Sequence, residues 1–146
     1  MRKSVSLPFA AGLALAAAFV TAPPAMAEMV KMAATLEASQ EVPPNDSAAK
    51  GTADITFDTE TRKLDWTIEY SGLTGDATGA HFHGPAAAGQ NADVAVPIED
   101  PKSGAKGSAT LTEAQATDLM AGQYYVNIHT AAHAGGEIRG QVERAM

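Results

Sequence analysis

Two stretches of the chain alternate apolar and polar residues with period two. In GTADITFD, Ala53, Ile55 and Phe57 share one side, and Thr52, Asp54, Thr56 and Asp58 share the other. In KLDWTIEY, Leu64, Trp66, Ile68 and Tyr70 line up opposite Asp65, Thr67 and Glu69. Successive side chains of a strand point to opposite faces, so this alternation predicts two half-buried strands. The polar link TETR between them makes them a β-hairpin. MVKMAATLEAS before the hairpin reads as an edge strand closed by EVPPND, and shorter strands are expected at AHFH, DVAVPI, GSATL, QYYVNIHT and EIRGQV. About eight strands separated by frequent turns predict an all-β sandwich or barrel.

One segment breaks the pattern. In LTEAQATDLMAGQ, Thr112 stands three residues before Gln115, the spacing of a capping box. Leu111 and Ala116 are placed to staple the first turn, and Gly122 stands where a C-terminal cap belongs. A short helix over residues 112–121 is expected, lying across an open end of the sandwich. Residues 86–91 read as a flexible loop.

The N-terminus changes the picture of the compartment. Arg2 and Lys3 precede an apolar stretch from Leu7 to Val20, which ends in Ala25-Met26-Ala27. This is the build of a cleavable secretory signal, so residues 1–27 are expected to be removed and residues 28–146 to form one domain. Pro8 and Gly12 interrupt a stretch shorter than the ~20 apolar residues of a membrane span. The expected location is the periplasm or beyond. Cleavage would leave eight basic against seventeen acidic residues, a net charge of −9. That charge argues against binding nucleic acid or anionic lipid through a general basic field. Cysteine is absent, which excludes disulfides, a lipid-anchored N-terminus, thiolate metal sites and cysteine nucleophiles.

The candidate chemistry is in the histidines. The chain has four, in two close pairs: His81 and His83 in AHFHGPA, and His129 and His133 in NIHTAAHAGGEIRGQ. Phe82 is the natural core residue of its strand, which turns His81 and His83 to the other face. Tyr124, Val126 and Ile128 make the core face of QYYVNIHT, so His129 also stands on the non-core side. A turn after TAA can fold His133 back toward it. Side chains two apart on a strand stand roughly 7 Å apart, and imidazoles at that spacing can lean onto one ion with bonds of ~2.0–2.1 Å. All-nitrogen ligation suits copper or zinc better than magnesium or calcium. The other reading is that each imidazole hydrogen-bonds a carbonyl and pins a turn. Met29 and Met32 offer soft ligands for Cu(I) but fit ordinary strand packing better. Glu137 and Arg139 share a strand face and suggest an ion pair with Asp65 or Glu69. None of the five serines beyond residue 27 has a nucleophile-elbow context.

EVPP, GTADITFD, LDWTIEYSGL, AHFHGPA and LTEAQATDLMAGQYYVNIHTAAHAGGEIRGQV follow one another in this order from about Ala33 to Val142. This run closely resembles the CHRD domain, first named from chordin and widespread in exported bacterial proteins. Phe82, where an aliphatic residue is commoner, and a shortened loop from Ala86 to Asp93 are departures. The resemblance implies an immunoglobulin-like sandwich or barrel with a limited likeness to Cu,Zn superoxide dismutase, which also carries an H-x-H pair on the outer face of a strand. Four histidines without cysteine are too few for that enzyme's bridged metal pair and disulfide, so a dismutase is not expected. Three functional readings remain open. The first is a non-catalytic module binding a transition metal, copper before zinc, at His81, His83, His129 and His133. The second is a metal-free structural or adhesive module of the envelope or matrix. The third is redox chemistry at a single copper.

Overall fold

The computed structural model describes residues 26–146; the expected signal segment lies almost wholly outside the described residues. The strands are β1 (Met29–Glu37), β2 (Lys50–Asp58), β3 (Lys63–Ser71), β4 (Ala77–His83), β5 (Val94–Ile98), β6 (Lys106–Thr110), β7 (Tyr125–Thr130), β8 (Ile138–Gln141) and the two-residue β9 (Glu143–Arg144). One helix, α1 (Glu113–Met120), stands between β6 and β7, and a 3-10 turn spans Ala38–Gln40. Neighbouring strands run in the order β5-β4-β7-β8-β1-β2-β3-β6, and β9 adds to β1. Every pairing is antiparallel. The sheet curls into a nearly closed barrel, as the alternation predicts. Among the described residues no helix is long and apolar enough to cross a membrane.

The hairpin forms in the register that its alternation requires. Ile55 lies opposite Trp66, Ala53 opposite Ile68 and Phe57 opposite Leu64. These inward residues meet Leu36, Phe82, Val126, Ile128 and Ile138 in one core. Each large apolar side chain removed from water contributes roughly 1.5–3 kcal/mol, offset by the entropy of ordering it. The Trp66 and Phe82 rings pack edge to face, 5.1 Å apart. Gly107 on β6 makes room for that indole, because a Cβ there would fall 2.5 Å from the ring.

Helix α1 is bounded as its caps dictate. Thr112 Oγ1 accepts from the Gln115 backbone N–H, and the Gln115 side chain accepts from the Thr112 N–H. At the other end Gly122 has φ +74°, and the N–H groups of Gly122 and Gln123 donate to Leu119 and Asp118. That is the Schellman closure, which needs a left-handed residue. Leu119 and Leu111 anchor the helix in the core.

Three expectations need correction. β1 is an interior strand, held between β2 on one side and β8 and β9 on the other. Alternation reports which face a residue takes, not which strand lies alongside. Glu137 and Arg139 do not pair with Asp65 or Glu69, because β1 and β2 separate β8 from β3; Asp65 pairs with Lys63 instead, at 2.9 Å. The loop at 86–91 is tied down: Gln141 Nε2 donates to the Ala86 carbonyl, and Asn91 Nδ2 to the Val42 carbonyl.

Candidate metal centre

The pairing of β4 with β7 assembles the histidines. His81 lies opposite Asn127, His83 opposite Tyr125, and Gly79 opposite His129. Phe82 and Ile128 point into the core, so the three imidazoles share the outer face of one strand pair. His81 Nδ1 lies 3.0 Å from His129 Nε2. One ligand atom from each of His81, His83 and His129 falls within 4.8 Å of the other two. Two nitrogens each ~2.0–2.1 Å from one ion, at roughly 90–110°, stand about 2.9–3.4 Å apart, so the closest pair already has ligand spacing.

The backbone selects which nitrogens are free. His83 Nδ1 donates to the Ala92 carbonyl at 2.9 Å, and His129 Nδ1 donates to the Ala134 carbonyl at the same distance. A carbonyl only accepts, so both rings carry their proton on Nδ1 and present a lone pair on Nε2. Metal-binding histidines are commonly oriented by this kind of bond on the far nitrogen. His83 Nε2 is buried without a hydrogen-bond partner, and so is Oδ1 of Asn127. An unpartnered buried acceptor costs roughly 1–3 kcal/mol, which a bound cation would relieve.

Burial holds the pKa of His81 below the usual histidine value, and the neighbouring His129 and His83 push it the same way. Burial also lowers His83, against the Ala92 carbonyl, which favours its protonated form. Both rings are therefore biased toward the neutral form that binds metal.

Two loops cover this face. The segment from 84 to 93 crosses it and places Ala92 over His83, where the Tyr125 hydroxyl also meets the Ala92 N–H at 3.1 Å. The Tyr125 ring stacks on His83 with centroids 4.9 Å apart and planes inclined by 3°. On the other side of Tyr125 lies the Arg139 guanidinium, its Cζ 3.4 Å from the ring centroid. Arg139 is 1% exposed and donates to Asn91 Oδ1 and to the Gln90 carbonyl. The sequence did not reveal the Tyr125–Arg139 stack. Its only signal was that both residues, like the histidines, take the non-core side of their strands.

His133 is not among the three. It sits in the turn between β7 and β8, its backbone bonded to Thr130, and lines a cleft with Glu41, Val42, Pro43 and Gly136. The turn folds back as expected, but it delivers the Ala134 carbonyl to His129 in place of the His133 ring. Met29 is exposed and Met32 is buried in the core.

Two acids complete the surroundings. Glu137 is wholly buried; burial alone would raise its pKa, but bonds from Ser47, Thr130 and Thr74 hold it down to about 2. Glu41 is pushed up to about 7 by burial, against the opposing pull of Arg139.

The CHRD domain family model matches residues 32–142, which run from within β1 through β8 and include both loops over the histidines. The chain belongs to the CHRD domain family. The match leaves only the ends of this CHRD domain protein outside it. Comparison with curated proteins and with solved structures returns no significant match.

Proposed function

We propose that this CHRD domain is an exported, non-catalytic module that holds one transition-metal ion, with copper preferred over zinc. The ligands are His81 Nδ1, His83 Nε2 and His129 Nε2. The observation that carries the reading is the buried, unpartnered Nε2 of His83, aimed at two further imidazole nitrogens that lie 3.0 Å apart. Neutral nitrogen donors and the affinity order of the divalent metals favour copper. The chemistry fits storage, buffering or sensing of the ion.

A second reading has its own support. The Nδ1 bonds of His83 and His129 each tie a loop to the barrel, so these rings also act as pins. One measurement separates the two. The melting temperature of the mature protein is followed with and without Cu(II) or Zn(II), for wild type and for His81→Ala/His129→Ala. A bound metal at a hundredfold excess over its Kd adds about 2.7 kcal/mol of stability. Metal binding predicts that gain in the wild type and its loss in the variant, whatever the variant loses without metal through the His129–Ala134 bond. No shift in the wild type, together with a metal-free loss in the variant, would leave the structural module as the function.

A further inference from the structure

The geometry points to a site that favours a monovalent ion, Cu(I), over Cu(II) and Zn(II), with Arg139 as the residue that sets the preference. This rests on the metal-binding reading above and concerns the charge of the ion that the same three nitrogens hold.

All three donors are neutral, and among the described residues no carboxylate joins the histidine group. Nothing in the ligand set therefore compensates a second positive charge. A fixed cation stands behind it. Arg139 stays charged at any pH a folded protein meets. It is buried, and its hydrogen bonds go to neutral acceptors, Asn91 Oδ1 and the Gln90 carbonyl. Among the described residues it forms no ion pair with a carboxylate.

Its charge reaches the site through a column of rings. The guanidinium lies 3.4 Å from the centre of Tyr125, and Tyr125 lies 4.9 Å from the centre of His83. An ion on His83 Nε2 thus stands on the order of 10 Å from the guanidinium, where at an effective dielectric near 20 each unit of ionic charge costs roughly a factor of ten in affinity. A divalent ion meets that repulsion twice and a monovalent ion once. The aromatic column keeps water out of the gap, so the repulsion is screened less than across open surface. Among the described residues Glu41 is the carboxylate that acts on Arg139 through space, and its burial keeps it partly uncharged at neutral pH.

The test uses the mature chain and four probes taken singly: Cu(I) under reductant with a competing Cu(I) chelator, Ag(I) as a redox-inert monovalent analogue, Cu(II) and Zn(II). Wild type is expected to bind Cu(I) and Ag(I) more tightly than Zn(II). Arg139→Gln should raise affinity for Cu(II) and Zn(II) about tenfold more than for Cu(I) and Ag(I), which is the one-charge difference at ~10 Å. Glu41→Gln, measured at pH 8, should move the ratio the other way, because it removes the charge that partly offsets Arg139. If Arg139→Gln changes all four affinities by one factor, or if wild type binds Zn(II) more tightly than Cu(I), the inference is wrong while metal binding stands. If none of the four probes binds, both fail. Where Arg139→Gln does not fold by circular dichroism, Glu41→Gln decides, and an unchanged ratio overturns the inference.

Discussion

Glu137 Oε2 accepts a hydrogen bond from Thr130 Oγ1 at 2.7 Å, closing the turn that carries His133 from below. Three more bonds, from Ser47 Oγ, the Thr74 N–H and Thr74 Oγ1, make this buried carboxylate the anchor of three loops. Its pKa of about 2 lies below the unfolded value, so it stabilises the fold above pH ~4.5, and that contribution fades as pH falls toward 2. Glu137→Gln should lower stability at pH 7 by about 2–4 kcal/mol, because donors are left facing a poorer acceptor. Urea denaturation from pH 7 to pH 2 is the check. The variant should lose less stability than wild type between pH 4.5 and pH 2, and parallel curves would contradict the anchor role.

Glu41 has the opposite sign. Its pKa is raised to about 7 by burial, so its contribution is full below pH ~4.5 and declines as pH climbs through 7. Glu41→Gln should remove that decline. Thermal melts at pH 5 and pH 8 should converge for the variant and diverge for wild type.

Trp66 is the only tryptophan and is 6% exposed. Its emission should be blue-shifted in the native state, and Trp66→Ala should cost about 3–5 kcal/mol. Gly107→Ala is the subtler probe, since its Cβ would meet the indole and force a shift costing about 1–3 kcal/mol. A Gly107→Ala protein with unchanged stability and emission would show that the ring has room to move.

Among the histidines, His129→Ala should weaken metal binding at least tenfold, and His133→Ala should change it less than twofold. Isothermal titration with Cu(II) and with Zn(II) reads both. Equal losses for the two variants would return His133 to the ligand set.

The sequence was legible where the physics is local. Period-two alternation set the hairpin register, and the Thr112–Gln115 box with Gly122 set the helix ends. Facing rules put His81, His83 and His129 on one side of the barrel, and the pairing of β4 with β7 made them neighbours. What escaped was non-local. Whether β1 lies at an edge depends on where β8 arrives, more than a hundred residues later. His133 stands apart from the other three because a turn's backbone, not its spacing, decides whether a ring or a carbonyl faces the site. Arg139 looked like half of an ion pair with Asp65 or Glu69 because alternation cannot show that another loop will bury an outward face.

The strand order has a consequence for how the chain comes to be folded. β1, β2, β3 and β6 form one contiguous panel and β5 and β4 another, but nothing joins the panels until β7 and β8 have been made. β8 begins at Ile138, after every strand of both panels. A chain emerging from the ribosome N-terminus first therefore holds two unjoined half-sheets until β7 and β8 have followed, and the long-range pairings that close the barrel are the slow ones. The same late segment delivers His129 to His81 and His83. The three nitrogens do not meet until β7 has been made and has paired with β4, so the ligand set exists only in a chain that extends past His129.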